Sequence, residues 1–380
     1  MEYTLIATST FGLESIVADE LRSLGYDELE VENGKVTFEG DEWDLATCNV
    51  WLRTADRILI KVKEFKAESF EELFQGTKEV DWAEYIPKNG KMHVVGKSIK
   101  SKLYSVPDCQ SIVKKAVVES MKREYKIDQF DEDGPTYKIE VALLKDIVTL
   151  TIDTTGPGLH KRGYRTTAGE APLKETLASA LVYLSKWNPE RILADPLCGS
   201  GTILIEAAMI GRNMAPGLNR HFVAEEWEGI DKSVWTEIRE YAKTKINKEK
   251  FRILGSDIDW RVLKTARDNI ARANLEDYIA VQKLPVQEFS SSRKYGCIIT
   301  NPPYGERLGE AREVEELYKG MGRVFSNLDA WSIFVLTSHP DFQKLYGEKS
   351  TKNRKLYNGR IQCYYYQYFG PFPPRKKKEA

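Results

Sequence analysis

Three short apolar runs, each ending on an acid or an amide, constrain the fold of this chain more than any other feature. They are Ile192-Leu193-Ala194-Asp195, Ile253-Leu254-Gly255-Ser256-Asp257 and Cys297-Ile298-Ile299-Thr300-Asn301. Each has the length of a strand, and segments with apolar residues at helical spacing lie between them. Beyond Leu173 the pattern reads as helix Leu173 to Leu184, strand Arg191 to Ala194, helix Ile203 to Ile210, strand Arg252 to Ser256 and helix Arg261 to Ala273. Strands Ile279 to Gln282 and Cys297 to Thr300, helix Val314 to Leu328 and strand Ser332 to Thr337 complete it. Such alternation predicts an α/β, Rossmann-like domain: a parallel sheet covered by helices, with ligands bound beyond the carboxyl ends of its strands. Asp195, Asp257 and Asn301 all fall on that edge.

The first run continues through Pro196-Leu197-Cys198-Gly199-Ser200-Gly201 into Thr202 and an apolar helix. A strand, a Gly-containing turn and a helix in this order let a nucleotide-like ligand approach the backbone at a helix N-terminus. Side chains at Gly199 or Gly201 are expected to block it. The third glycine of the dinucleotide fingerprint is missing and no Gly-Lys-Ser/Thr follows, which disfavours NAD and a phosphate-binding loop. Asp257 suits the two hydroxyls of a ribose, whereas Asp259 reads as the cap of the next helix.

Asn301-Pro302-Pro303-Tyr304 carries the candidate reaction chemistry. An amino group on a flat aromatic ring is a poor nucleophile, because its lone pair is delocalised into the ring. The Asn301 side-chain oxygen and the Pro302 carbonyl can each accept one N–H, turning the lone pair toward an electrophile, while the Tyr304 ring stacks on the base. Two prolines stiffen the arrangement. The plain alternative is a strand followed by an ordinary Pro-rich turn.

Taken together, Asp-Pro-x-Cys-Gly-Ser-Gly-Thr, Ser-Asp-Ile-Asp and Asn-Pro-Pro-Tyr-Gly-Glu-Arg-Leu-Gly resemble the class I S-adenosylmethionine-dependent methyltransferases. More narrowly, the chain is similar to the family containing the bacterial 23S rRNA guanine-N2 methyltransferase and the THUMP-bearing tRNA guanine-N2 methyltransferases. Leu159-His160-Lys161-Arg162-Gly163-Tyr164-Arg165 and Asn213-Met214-Ala215-Pro216-Gly217-Leu218-Asn219-Arg220 resemble that family as well. The resemblance implies S-adenosylmethionine as cofactor, held by Asp195, Leu197, Cys198, Gly199, Gly201, Thr202, Asp257 and Ile258. It implies Asn301, Pro302, Pro303 and Tyr304 as catalytic residues. Glu306 and Arg307 are then candidates for selecting guanine, and Lys97, Lys100, Lys161, Arg162 and Arg165 for holding RNA. One departure concerns the adenine: Pro285 stands about where family members often carry an acid, leaving Gln287, Glu288 or a backbone carbonyl to replace it. The expected substrate is guanine N2 in 23S rRNA. The alternatives are guanine N2 in tRNA, adenine N6 in DNA, and an RNA-binding module with a vestigial methyltransferase domain.

The N-terminal half reads as α+β. Residues 1–65 follow a ferredoxin-like pattern, with strand Tyr3 to Thr8, helix Leu13 to Leu24, a hairpin through Asn33-Gly34, a helix at Asp41 to Leu52 and strand Ile58 to Phe65. Residues 66–155 form a second α+β piece, which the resemblance implies to be a THUMP RNA-binding domain. Residues 156–172 are expected to link it to a methyltransferase domain at 173–380. The tail after Thr351 mixes Lys and Arg with tyrosines and suits RNA, but Ile361 to Phe369 reads equally as the last strand. A net charge of -1 excludes a uniformly basic surface. The 5 cysteines are dispersed with no Cys-x-x-Cys, which argues against zinc and for a reducing compartment. With no membrane-spanning run and no signal-like N-terminus, a cytoplasmic protein is expected.

Overall fold

A computed structural model describes residues 2–165, 173–305 and 311–374 of the chain. It forms two compact units: Met1–Ser9, Val17–Leu159 and Gly217–Ala242 in the first, and Thr10–Ile16, His160–Pro216 and Lys243–Ala380 in the second.

The first unit is built on one sheet. Strands β1 (Tyr3–Thr8), β2 (Glu30–Glu32), β3 (Lys35–Gly40), β4 (Arg57–Lys66), β5 (Lys91–Ile99), β6 (Thr136–Leu144) and β7 (Ile147–Asp153) take the order β2-β3-β1-β4-β7-β6-β5. The ferredoxin-like and second α+β pieces therefore share a sheet, because β4 pairs antiparallel with β7 from Leu59↔Asp153 to Lys66↔Ile147. That pairing removes an edge each piece would otherwise expose. Local chemistry sets where the helices start. Helix α1 (Glu14–Leu24) follows β1, and α2 (Glu42–Trp51) begins with a capping box between Asp41 and Asp44. A second box, Ser69 with Glu72, opens α3 (Phe70–Lys78), and α4 (Val106–Tyr125) buries Val113, Ala116, Val117 and Met121.

Gly217–Ala242 differs from expectation, since it belongs to this first unit rather than to the second. The Trp227 ring stacks on Tyr137 at 4.7 Å, its Nε1 donates to the Thr136 carbonyl at 3.1 Å, and Arg220 donates to the Gly158 carbonyl at 2.7 Å. Aromatic burial on a distant strand outweighs chain proximity.

In the second unit, β8 (Leu193–Asp195), β9 (Ile253–Asp257), β10 (Ile279–Lys283), β11 (Cys297–Thr300) and β12 (Ser332–Thr337) run parallel. The antiparallel pair β13 (Lys352–Asn358) and β14 (Ile361–Tyr368) closes one side, giving the order β10-β9-β8-β11-β12-β14-β13. Strand order reverses at β8, so a crevice opens beyond its carboxyl end. Helices α5 (Glu175–Ser185), α6 (Thr202–Gly211), α8 (Trp260–Arg272), α9 (Ala311–Phe325) and the short α10 (Phe342–Tyr346) alternate with these strands; α7 (Lys232–Thr244) belongs almost entirely to the first unit. The tail ambiguity resolves toward the strand: Tyr365, Tyr366 and Tyr368 are buried, and the Tyr365 hydroxyl donates to the Leu181 carbonyl at 2.9 Å. Arg375 to Lys378 lie outside the described residues. Among the described residues no helix is long and apolar enough to cross a membrane.

Candidate active site

The turn after β8 is held by its neighbours on the sheet edge. Cys198 N donates to the Ser256 carbonyl at 2.9 Å, Gly199 N donates to Asp257 Oδ2 at 3.1 Å, and Asn269 Nδ2 of α8 donates to the Ser200 carbonyl at 3.0 Å. Both glycines are left-handed, with φ of +52° at Gly199 and +82° at Gly201. Their reasons differ. A Cβ at Gly199 would meet nothing within 4 Å, so this backbone faces open space, whereas one at Gly201 would meet Ala266 Cβ of α8 at 3.4 Å. Gly201 is thus favoured by its backbone conformation, and a side chain there would also lie against α8. Helix α6 begins at this turn with no side-chain cap, which leaves its first amides as donors for an anion.

Asp195 lies at the end of β8 and is buried. Its Oδ1 accepts from Thr300 Oγ1 at 2.7 Å and from Leu197 N at 3.1 Å, and its Oδ2 has no hydrogen-bond partner among the described residues. Burial pushes this carboxyl up to about 7, and Asp257 nearby adds to the shift. Asp257 ends β9, and its other oxygen accepts from Asp259 N at 3.0 Å, while Asp259 caps α8 through Arg261 N as the sequence suggests. Two large apolar side chains flank this point uncovered, Ile258 at 64% and Trp260 at 60% exposure. Sequence reasoning singled out Ile258 and missed Trp260. The Cys198 side chain packs inward, its Sγ lying 3.1 Å from where a Cβ on Gly255 would sit.

Beyond β11, Pro302 is buried and Asn301 and Tyr304 are half-buried. The Tyr304 hydroxyl donates to Asn301 Oδ1 at 2.6 Å, so the oxygen expected to receive an amine proton already holds a tyrosine proton. Burial first, with Cys363 alongside, pushes the Tyr304 phenol well up, keeping it a donor. Two residues that no local motif announced hold the loop from below. The fully buried Tyr318 of α9 donates to the Pro303 carbonyl at 2.8 Å, and its oxygen also lies 2.9 Å from Thr337 Oγ1 at the end of β12. Thr300 links the two halves of the site, since it precedes Asn301 and bonds Asp195.

The expected RNA contacts divide. Arg162 is buried against Glu206 at 3.3 Å, with Tyr164 and Ser179 donating to the same carboxylate at 3.0 Å and 2.5 Å. A guanidinium so enclosed cannot reach a phosphate, and Arg162 is a core residue. Arg165 is likewise engaged, pairing with Glu175 at 3.2 Å and donating to Thr202 Oγ1 at the start of α6. Lys161 is exposed. Lys97 and Lys100 are exposed on the first unit, Lys97 paired with Glu140 at 2.7 Å. Glu306 and Arg307 lie outside the described residues.

Residues 162–367 match the UPF0020 family, the RMKL-like methyltransferase domain, residues 4–59 the RlmL ferredoxin-like domain and residues 67–153 the THUMP domain. A Bacillus subtilis (strain 168) protein named "Putative RNA methyltransferase YpsC" is 52% identical over 380 residues, covering 99% of this chain and 98% of its own. A solved structure from Listeria monocytogenes, titled a predicted N6-adenine-specific DNA methylase, shares 50% identity at a TM-score of 0.93, covering 98% of this chain and 97% of that one. The structure of SMU.472, a putative methyltransferase complexed with SAH, shares 45% identity at a TM-score of 0.93, covering 98% and 99%.

Proposed function

The chain belongs to the UPF0020 family of RMKL-like methyltransferases, and from that premise we propose that it methylates guanine N2 in 23S rRNA, with S-adenosylmethionine as donor. One observation carries the reading: the Asn301 amide oxygen, followed by two prolines, ends the strand beside the glycine turn and is joined to it through Thr300 and Asp195. The residues at the turn suit the cofactor. Gly199 opens onto free space, α6 presents uncapped amides, Ile258 and Trp260 are apolar surfaces for an adenine, and Asp257 stands beside them for a ribose. When bound, S-adenosylmethionine supplies a methyl group already activated by a positive sulfur.

What the protein adds is placement. Asn301 Oδ1 and the Pro302 carbonyl accept the two N–H bonds of the amine, and the Tyr304 ring covers the base. Asn301 Oδ1 has two lone pairs, so it can accept the amine N–H beside the Tyr304 hydroxyl or in its place. Tyr318, itself bonded to Thr337, holds the neighbouring Pro303 carbonyl and so steadies the loop that carries Asn301 and Pro302. A base presented to these groups must leave its stack. The THUMP match and the name of the Bacillus relative support RNA over DNA, while the name of the Listeria relative keeps adenine N6 as the second reading. The 5 cysteines are buried thiols that form no disulfide among the described residues, which suits a cytoplasmic setting.

Cofactor affinity should depend on pH through Asp195, whose free oxygen we assign to the cofactor's ammonium. Its folded value, about 7, lies above its ordinary 3.8, so its contribution to the stability of the ligand-free protein is present at low pH and lost as pH rises through about 7. Cation binding gains over the same interval. Calorimetry between about pH 6 and about pH 8 should show affinity rising about tenfold, and Asp195→Asn should flatten the profile. A parent profile already flat would remove Asp195 from the cofactor site.

The substrate is tested in cells lacking the protein. Nucleosides from purified 23S rRNA should lose one N2-methylguanosine, restored by the parent chain and not by Asn301→Ala. Loss confined to tRNA would transfer the assignment to tRNA, and unchanged RNA in both pools would refute it.

A further inference from the structure

We propose that the tip of the first unit's sheet is a platform for unstacked nucleotides of RNA, a placement that rests on RNA being the substrate. Ile99 at the end of β5 pairs with Leu144 at the end of β6, and Leu144 pairs with Ile147 at the start of β7. Residues directly opposite across a sheet project on one face. The three therefore form a continuous aliphatic surface, yet they are 53%, 54% and 39% exposed. The loop that leaves Ile99 carries Tyr104, at 84% exposure. A ring and an aliphatic floor, both uncovered, are what a base without stacking partners can lie against.

This surface is rigidly built. Lys145 N donates to the Ile99 carbonyl at 3.1 Å, Lys102 N to Asp146 Oδ1 at 2.6 Å, and Asp146 N to Ser101 Oγ at 3.0 Å, tying the two loops together. Lys100, Lys145 and Asp146 are held with φ of +51°, +52° and +66°, a backbone that side-chain-bearing residues rarely adopt. Lys145 and Asp146 are the two central residues of the β6–β7 hairpin, where a primed turn requires positive φ at both.

The charge pattern decides what the platform takes. Lys66 and Lys102 share the single carboxylate of Glu68, and Lys97 pairs with Glu140. Lys100 and Lys145, both exposed, have no ionic partner among the described residues and flank the apolar surface. Bases on the platform and phosphates on these two lysines match a nucleic-acid strand whose bases are free, better than the neutral surface of a folded protein.

The test uses the full chain and a fluorescent single-stranded oligoribonucleotide of mixed sequence, with anisotropy as readout. Tyr104→Ala and Leu144→Ser remove only exposed groups, and each should weaken RNA binding at least about fivefold without changing its salt dependence. Lys100→Asn with Lys145→Asn, chosen because Asn tolerates the left-handed backbone, should lower the salt slope by about 1 to 2. Calorimetry with S-adenosylmethionine should be unchanged in every variant. RNA binding unaltered in all of them would overturn the platform while leaving the methyltransferase reading intact. A parent chain that binds no RNA would overturn both.

Discussion

Asn301→Ala should lower methyl transfer at least about 100-fold in single-turnover kinetics and leave S-adenosylmethionine affinity within error of the parent. The amide oxygen gains its amine only in the reacting complex, so its loss appears in the rate. The ligand-free protein should tolerate the change, because among the described residues that oxygen accepts only from the Tyr304 hydroxyl, half-buried and able to find water. Tyr304→Phe isolates that hydroxyl. It frees Asn301 from a competing donor while keeping the ring, and should cost far less than Tyr304→Ala. Equal losses in the two variants would mean that the hydroxyl, not the ring, carries the function.

Arg162→Ala should destabilise the second unit by about 3 to 5 kcal/mol, because it strands a buried carboxylate. Glu206 has 0% and Arg162 3% exposure, so the carboxylate left behind lies in the core. Thermal unfolding followed by cofactor-site fluorescence would record the loss, and Glu206→Gln in the same chain should recover part of it by removing the orphan charge. The same variant settles the role expected from its neighbourhood. An arginine on RNA would, when removed, reduce the salt dependence of binding by about 1 with the fold unchanged; an arginine in the core changes the fold's stability instead.

These two residues mark what was and was not legible in the sequence. Asp195, Asp257 and Asn301 could be placed on one sheet edge because each ends an apolar run, and a parallel sheet aligns such ends whatever the details of packing. The helix at Asp41 could be read from the sequence, and its cap, Asp41 with Asp44, lies within one turn. The pairing of Arg162 with Glu206 spans separate elements, and a basic residue beside a glycine looks the same in a sequence whether it faces phosphate or carboxylate. Tyr318 and Thr337 were hidden for a similar reason: each looks like an ordinary member of its helix or strand, and only the fold brings both oxygens to the Pro303 loop. The joining of β4 to β7, and the membership of Gly217–Ala242 in the first unit, are likewise long-range choices that periodicity does not encode.

The most direct test gives the purified full chain S-adenosylmethionine with an isotopically labelled methyl group, together with 23S rRNA and tRNA from cells lacking the protein and, separately, duplex DNA containing adenine. Mass spectrometry of the digested nucleosides then reads where the label sits. The account predicts labelled N2-methylguanosine from 23S rRNA, absent with Asn301→Ala. Label recovered as N6-methyladenosine, or from DNA and not from RNA, would contradict it.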